Sequence, residues 1–301
     1  MNNTTIDLSV IIPVYNDPDG LRDTVEGVLE TQFSGNFEII IVDNNSTDDT
    51  YDVAKSFAAE NERVHVAVED DIQSSYAARN TGIDQASGGI LVFIDADITM
   101  DPEWLNTIAT EIEGEDYLTY DVEVYIPDGE DTWVARYNKH TSFPIEEYAK
   151  ERGFGGGGCI AVRREVFEDV GRFDHRLISG GDAEFGHRVA ASGRDIHFTP
   201  KTQVYHPART SLRSQIKKEI RVGQGFCQLQ RHYPDRYGRP GIPPRPSGSG
   251  GSSTDVYLPI LTRLLFRVLG IFFLGCRGIG YFLELVAGDS QRGEGNSKSR
   301  S

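Results

Sequence analysis

The chain has 301 residues, 38% of them hydrophobic and 25% charged, a composition with room for a sizeable core in one large or two small domains. Against 46 Asp/Glu stand 30 Lys/Arg, and the net charge of −16 argues against a nucleic-acid partner and suits a protein kept soluble in high salt, as in a halophile. Three cysteines, Cys159, Cys227 and Cys276, with no C-x-x-C spacing, exclude a disulfide framework and a structural zinc and predict a reducing compartment.

The charge is uneven. Residues 1–200 carry 14 basic and 40 acidic side chains, whereas residues 201–245 carry 10 basic and 2 acidic. The basic stretch points to an anion: a diphosphate, a lipid phosphate or an acidic membrane surface. The N-terminus has no basic region before its apolar run and no small-residue cleavage site, so no signal peptide is predicted.

In chain order, Leu8–Val14 reads as a strand, 20–31 as a helix, 37–42 (FEIIIV) as a second strand and 49–60 as a helix. Val64–Val68 is a third strand, 74–85 a helix and Ile90–Ile94 a fourth strand. Continuous apolar runs separated by helices predict an α/β fold with a mostly parallel sheet covered on both faces. Ligands should gather beyond the carboxyl ends of the strands. Further on, Tyr117–Tyr125, 158–162 and 195–198 read as strands, 181–192 as a helix and 210–230 as a basic helix.

The C-terminal part divides by composition. Residues 1–238 are expected to form the α/β domain that carries any chemistry, 239–254 a Pro/Gly/Ser linker, 255–287 an apolar helix and 288–301 a disordered tail. On the apolar helix Arg263, Arg267, Arg277 and Glu284 fall on one stripe roughly 100° wide, shared with Gly270 and Tyr281. The uncharged stretch 268–276 is far below the ~20 residues of a spanning helix. An amphipathic helix lying in the membrane plane is the first reading, a core or dimer helix the second.

Chemistry-bearing residues cluster at strand ends. Asp95–Ala96–Asp97 closes the run ILVFI, where two carboxylates can take a hard cation, Mg²⁺ or Mn²⁺, directly or through water. Pro13, Tyr15 and Asn16 follow the first strand, Asp43 and Asn45 the second; Asp43 can accept from a base N–H and Tyr15 can pack on a base, though the same residue types serve plain turns. Arg79 could meet a diphosphate. Asp182, with Glu184 as its neighbour, opens a helix and could take a proton from an acceptor hydroxyl, or simply favour the helix dipole. His206 could complete a metal shell. Gly157 and Gly158, in a six-residue stretch with five glycines, allow close approach of an acceptor, and Arg221 on the basic helix is a further candidate for contact with it.

In order, VIIPVYND, EIIIVDNNSTDDT, AARNTGI, VFIDAD, GGGGCIAVRREVFEDVGRFD, SGGDAEFGHRV and VYHPARTS resemble the family 2 inverting glycosyltransferases of the GT-A fold, over roughly residues 8–225. The resemblance implies Asp43 at the base, Asp95 and Asp97 around ribose, diphosphate and a divalent metal, and Asp182 as catalytic base, with Glu184 the alternative. It implies a nucleotide-sugar donor, expected to be a UDP-sugar. Cys159 stands where many relatives carry Asn. The Q-x-x-R-W motif of processive synthases is reduced to Arg221, which favours single-sugar addition. By analogy with enzymes that build archaeal cell-surface N-glycans, the expected acceptor is a dolichyl- or polyprenyl-phosphate-linked glycan at the cytoplasmic face of the cell membrane. A nucleotidyltransferase would open with a Gly-rich basic loop where this chain has PVYNDPDG. A non-catalytic membrane-tethered scaffold would have no need of both DAD and GGDAE.

Overall fold

A computed structural model describes residues 7–243 and 258–298, with 289–298 by backbone alone. The chain runs β1 (Leu8–Val14), α1 (Pro18–Leu29), β2 (Phe37–Asp43), α2 (Thr50–Glu60), β3 (Val64–Val68), α3 (Ser75–Gln85), β4 (Ile90–Ile94), β5 (Thr99–Met100), α4 (Trp104–Glu111) and β6 (Tyr117–Tyr125). It continues through α5 (Trp133–Thr141), α6 (Ile145–Arg152), β7 (Cys159–Arg163), α7 (Arg164–Val170), α8 (Gly181–Ala191), β8 (His197–Pro207), α9 (Leu212–His232), α10 (Pro234–Tyr237) and α11 (Ile260–Lys298). Two units result. The first joins Met1–Tyr125, Phe143–His175 and Gly181–Pro207; the second joins Ile126–Ser142, Arg176–Gly180 and Ala208–Ser301.

The first unit is built on one eight-stranded sheet of order β3-β2-β1-β4-β7-β6-β8-β5. β1, β2, β3 and β4 are parallel, as the buried runs predict, and Val14 pairs with Asp43, so the ends of β1 and β2 lie level. In the second half β6 and β8 again run parallel, and antiparallel pairings join them. β7 runs antiparallel to both β4 and β6, and β5 antiparallel to β8, so the sheet is mixed. The predicted strand at 195–198 is the start of an eleven-residue strand that carries on through His206, with a register shift opposite Tyr120/Asp121. α1 starts where Asp17 accepts from the Gly20 N–H at 3.0 Å and Pro18 occupies the first turn; Leu21, Val25 and Val28 then line its buried face. Val10, Ile12, Ile39, Ile41, Val92 and Ile94 form the core with that face.

The second unit is helical. α11 packs along α9 with both chains running the same way: Arg277 donates to Glu219 (2.6 and 2.9 Å), Tyr281 to Gln230 (2.5 Å) and Arg231 to Glu284 (2.5 Å). Gly223 and Gly280 mark the crossing, since a Cβ on either would run into the carbonyl of Arg277 or Ile220. Tyr137 of α5 packs between Phe266 and Phe273. The predicted polar stripe of α11 therefore faces protein over Arg277, Tyr281 and Glu284. The opposite face, with Leu264, Val268, Ile271, Phe282 and Val286, is exposed. Ile260–Gly288 is 29 residues long and apolar enough to cross a membrane, and 22% of its most apolar window is buried. The helix runs past residue 288, where composition predicts a tail, to Lys298. Residues 244–254 of the predicted linker and 299–301 of the predicted tail lie outside the described residues.

Candidate active site

The loops after β1 and β2 are laced together. Asn16 and Asn45 both take left-handed backbone conformations (φ 51° and 61°), which asparagine tolerates better than bulkier residues. The Asn16 N–H donates to Ser46 Oγ at 3.0 Å, and the Asn16 side chain accepts from the Thr47 N–H at 2.8 Å. Between them Asp43 is 3% exposed. Its Oδ2 accepts from the Ser46 N–H at 3.1 Å, whereas Oδ1 is buried with no hydrogen-bond partner among the described residues. A buried carboxylate oxygen left unpartnered is costly and can accept a ligand N–H. Tyr15 is half exposed one residue past the end of β1, and Pro13 is buried inside that strand.

Asn44, Gln73 and Glu69 escaped the sequence reading. The Asn44 amide donates to the carbonyls of Glu69 and Ile72 (3.0 and 2.9 Å), and Gln73 donates to the Asn44 carbonyl at 2.9 Å. Glu69 accepts from Thr81 Oγ1 at 2.7 Å, and that bond leads in holding its carboxyl below the usual range. These contacts fold the loop after β3 beside Asp43. In the sequence they look like ordinary turn residues.

At the end of β4, Asp95 Oδ1 accepts from Arg79 Nη2 at 2.6 Å. Arg79 lies on α3 and is 4% exposed; its Nε has no hydrogen-bond partner among the described residues. Gly157 and Gly158, predicted at an acceptor, pack on this pair: a Cβ on Gly157 would sit 3.3 Å from the guanidinium, and one on Gly158 would sit 2.7 Å from Asp95 Oδ2.

Asp182 stands in the first turn of α8. Its Oδ2 accepts from the Gly157 N–H at 3.3 Å and its Oδ1 from the Ala183 N–H at 3.0 Å. Burial pushes its carboxyl above the ordinary aspartate range, against the pull of those N–H donors and of Arg79. Arg79 thus faces Asp95 and lies close enough to Asp182 to bias its charge. Tyr76, which the sequence reading passed over, accepts the Gly181 N–H on its hydroxyl at 2.9 Å, and its ring fills the space a Cβ at 181 would need. An aromatic on a helix carries no signal of that duty.

Glu184 is otherwise employed. It is 2% exposed and takes a two-pronged bond from Arg188 (2.7 and 2.9 Å), which also donates to the carbonyls of Val170 and Arg172. It fastens α8 to the turn after α7.

Asp97 and His206 meet: Nε2 is 3.5 Å from Asp97 Oδ2. The His206 Nδ1 lies 2.7 Å from the Pro207 carbonyl, so in the neutral ring Nδ1 is the donor and Nε2 presents a lone pair to the carboxylate. Two acceptors facing one another are complementary to a cation. Among the described residues no third His, Cys, Asp or Glu joins them. Asp95, one residue away from Ala96 and two from Asp97, is committed to Arg79. The donor set fits a hard cation that arrives with oxygen ligands of its own, as a diphosphate supplies. Arg221 belongs to the second unit, exposed on α9.

The family model of glycosyl transferase family 2 matches residues 9–171. Glycosyltransferase AglE of Haloferax volcanii is 36% identical over 232 residues, which cover 76% of each chain. Among solved structures, mannosyltransferase PcManGT from Pyrobaculum calidifontis, in complex with GDP-Man and Mn²⁺, aligns with a TM-score of 0.58 at 17% identity, over 99% of this chain and 84% of that one. S. aureus TarS in complex with UDP-GlcNAc aligns with a TM-score of 0.54 at 18% identity, over 76% and 73% of the two chains. At such identities the structural likeness speaks to the fold, which is GT-A.

Proposed function

The chain belongs to glycosyl transferase family 2, and from that premise we propose that this glycosyltransferase moves one sugar from a UDP-sugar to an acceptor hydroxyl in a single inverting displacement. The observation that carries the reading is the chain of contacts Asp95–Arg79–Gly157–Asp182, which gathers a donor-side carboxylate and a candidate base at the end of β4.

Asp43 accepts from the base N–H through its unpartnered oxygen, with Tyr15 packing on the base and Asn16 and Asn45 setting the loop that surrounds it. Asp95, held by Arg79, faces the ribose and diphosphate. Asp97 and His206 would hold Mg²⁺ or Mn²⁺, which would offset the charge of the diphosphate and of the nucleotide as it leaves. Asp182 takes the proton of the acceptor hydroxyl as that oxygen bonds to the anomeric carbon and the nucleotide departs. Burial, which disfavours its ionised form, makes that carboxylate a stronger proton acceptor. Glu184, paired to Arg188, acts through the shape of α8 and not as a base.

The acceptor in this reading is a dolichyl- or polyprenyl-phosphate-linked glycan at the cytoplasmic face of the membrane, destined for surface-protein N-glycosylation; the exposed apolar face of α11 supports its membrane setting and the AglE relative its pathway. The acidic composition and the Haloferax volcanii relative support a halophilic archaeal setting. The test is incubation with UDP- and GDP-sugars, Mn²⁺ and an archaeal membrane lipid extract, followed by mass spectrometry of the lipid fraction. One added sugar is expected, lost with Asp182→Asn. Transfer at the wild-type rate by that variant would dismiss the base assignment; sugar recovered only as the free hydrolysis product would dismiss the acceptor.

A further inference from the structure

Within the sheet-bearing unit, α3 is a fixed reference. It lies close on β1, since a Cβ on Gly82 would be 2.4 Å from Ile11 Cγ2. Its Asn80 holds Phe173 by a reciprocal pair: the Asn80 amide donates to the Phe173 carbonyl at 2.9 Å, and the Phe173 N–H donates to Asn80 Oδ1 at 3.1 Å. Tyr76, one turn before Asn80 and 7% exposed, stacks on the ring of Phe173 with centroids 6.1 Å apart and planes at 29°. With its own helix behind it and that ring beside it, Tyr76 presents its hydroxyl at one place.

That place is the start of α8. Tyr76 Oη accepts from the Gly181 N–H at 2.9 Å, and a Cβ on Gly181 would be 2.8 Å from the Cζ and 2.9 Å from both Cε atoms of the tyrosine ring. Gly181 is the first residue of its helix, so its N–H has no acceptor within the helix itself. One turn on, Phe185 packs on Phe173 at 4.7 Å between ring centroids. Asp182 lies between these two contacts. Arg79, three residues after Tyr76 and on the same face of α3, holds its guanidinium 5.6 Å from the centre of the Tyr76 ring. We propose that Tyr76 is a positioning residue that sets the general base against the donor-side arginine: its hydroxyl fixes where α8 begins, and its ring backs the Arg79 guanidinium. Tyr76, Arg79, Phe173, Gly181, Asp182 and Phe185 all belong to the first unit. The inference rests on the reading of Asp182 as the base.

The test uses the full chain and separates the oxygen from the ring. Tyr76→Phe keeps the ring and takes its acceptor from the buried Gly181 N–H. The misplaced base should lower kcat roughly tenfold to a hundredfold, while KM for the donor stays within about twofold. Carbon atoms pack at about 3.5 Å or more, so Gly181→Ala must part α8 from the ring by roughly 0.7 Å and should lower kcat in the same sense. Tyr76→Leu removes the aromatic face as well and should add a rise in donor KM of about fivefold or more. Rates are read with UDP-glucose, UDP-GlcNAc and GDP-mannose over vesicles of archaeal lipid extract. Hydrogen–deuterium exchange across 181–186 is followed in parallel, with faster exchange expected there in Tyr76→Phe and none added in β1–β4.

Wild-type kcat in both Tyr76→Phe and Gly181→Ala, beside an inactive Asp182→Asn, overturns the positioning role and leaves the base assignment standing. An active Asp182→Asn removes the base assignment itself and the proposal with it. A wild-type donor KM in Tyr76→Leu overturns the part given to the ring. In Tyr76→Phe, a fall in kcat accompanied by raised KM and faster exchange throughout the sheet signals general loosening and also overturns the proposal. Should wild type turn over none of the three donors, unchanged exchange over 181–186 in Tyr76→Phe decides against it.

Discussion

Replacing Gly158 by alanine tests how Asp95 is held. The new Cβ would lie 2.7 Å from Asp95 Oδ2 and 2.9 Å from its Cγ. Carbon and oxygen approach to about 3.3 Å, so the carboxylate must retreat by roughly 0.6 Å. The 2.6 Å bond to Arg79 then stretches to about 3.2 Å, the limit of an N–H···O contact. Arg79 is 4% exposed and its Nε already has no partner among the described residues, so it cannot turn to water for compensation. The expected cost is about 1–3 kcal/mol of stability, that of an under-satisfied buried donor. It appears as a lower urea midpoint with an unchanged slope. At saturating UDP-sugar the displaced carboxylate should lower kcat by about tenfold to a hundredfold. A Gly158→Ala protein with the parent's urea midpoint and turnover would refute the idea that this glycine holds the Asp95–Arg79 pair in place.

Asp182→Asn should cut transfer by roughly 10²- to 10⁴-fold without weakening nucleotide binding by calorimetry. Because burial raises the folded-state pKa of Asp182, its ionisation disfavours the fold once pH rises above the unfolded value near 3.8, and fully above the raised value; the variant should melt above wild type at pH 7 and lose that advantage at pH 3. For the same reason wild-type kcat should fall on the acid side through a midpoint above 3.8. His206→Ala should raise the Mn²⁺ concentration for half-maximal transfer by about tenfold or more, with the Mn²⁺-saturated rate recovering in part. Leu264, Ile271 and Phe282 all to serine should reduce flotation with anionic vesicles by at least about 100-fold, at ~1.5 kcal/mol or more per buried side chain. Arg277→Met leaves the Glu219 carboxylate, 4% exposed, with the Gln215 amide at 2.9 Å and Lys218 at 3.6 Å, both on Oε1, and takes the partner from Oε2; a loss of about 3 kcal/mol in denaturation is expected, recovered largely by adding Glu219→Gln.

The first half of the fold was legible because each of its strands is a short apolar run followed by a helix, and parallel neighbours bury both faces. The direction of β7 was not. CIAVR is as apolar as its neighbours, and nothing in such a run tells which way it points; that depends on the long connection through α5 and α6. Asp43, Asp95 and Asp182 stand out in the sequence as candidates because they sit at strand ends and a helix start, and the structure brings the last two to Arg79 and Gly157. Tyr76, Asn44 and Gln73 do not stand out, since their contacts join positions far apart in the chain. For a related reason the sequence gives no sign of the Glu184 pairing: an acid two residues from Asp182 looks equivalent to it, and its bond to Arg188, one helical turn on, is seen only in the fold. The polar stripe of α11 was read correctly as a stripe. Its partner was not, because the helix that covers it precedes it by a long connection.

That covered stripe bears on how the protein is made. Arg277 and Glu284 would burden α11 with two charges if it met lipid by itself. Their counterparts, Glu219 and Arg231, emerge from the ribosome earlier, on α9. When α11 follows, a folded surface already awaits those charges, and the side left over is apolar. Biosynthetic order thus gives Arg277 and Glu284 their counter-charges as soon as α11 forms.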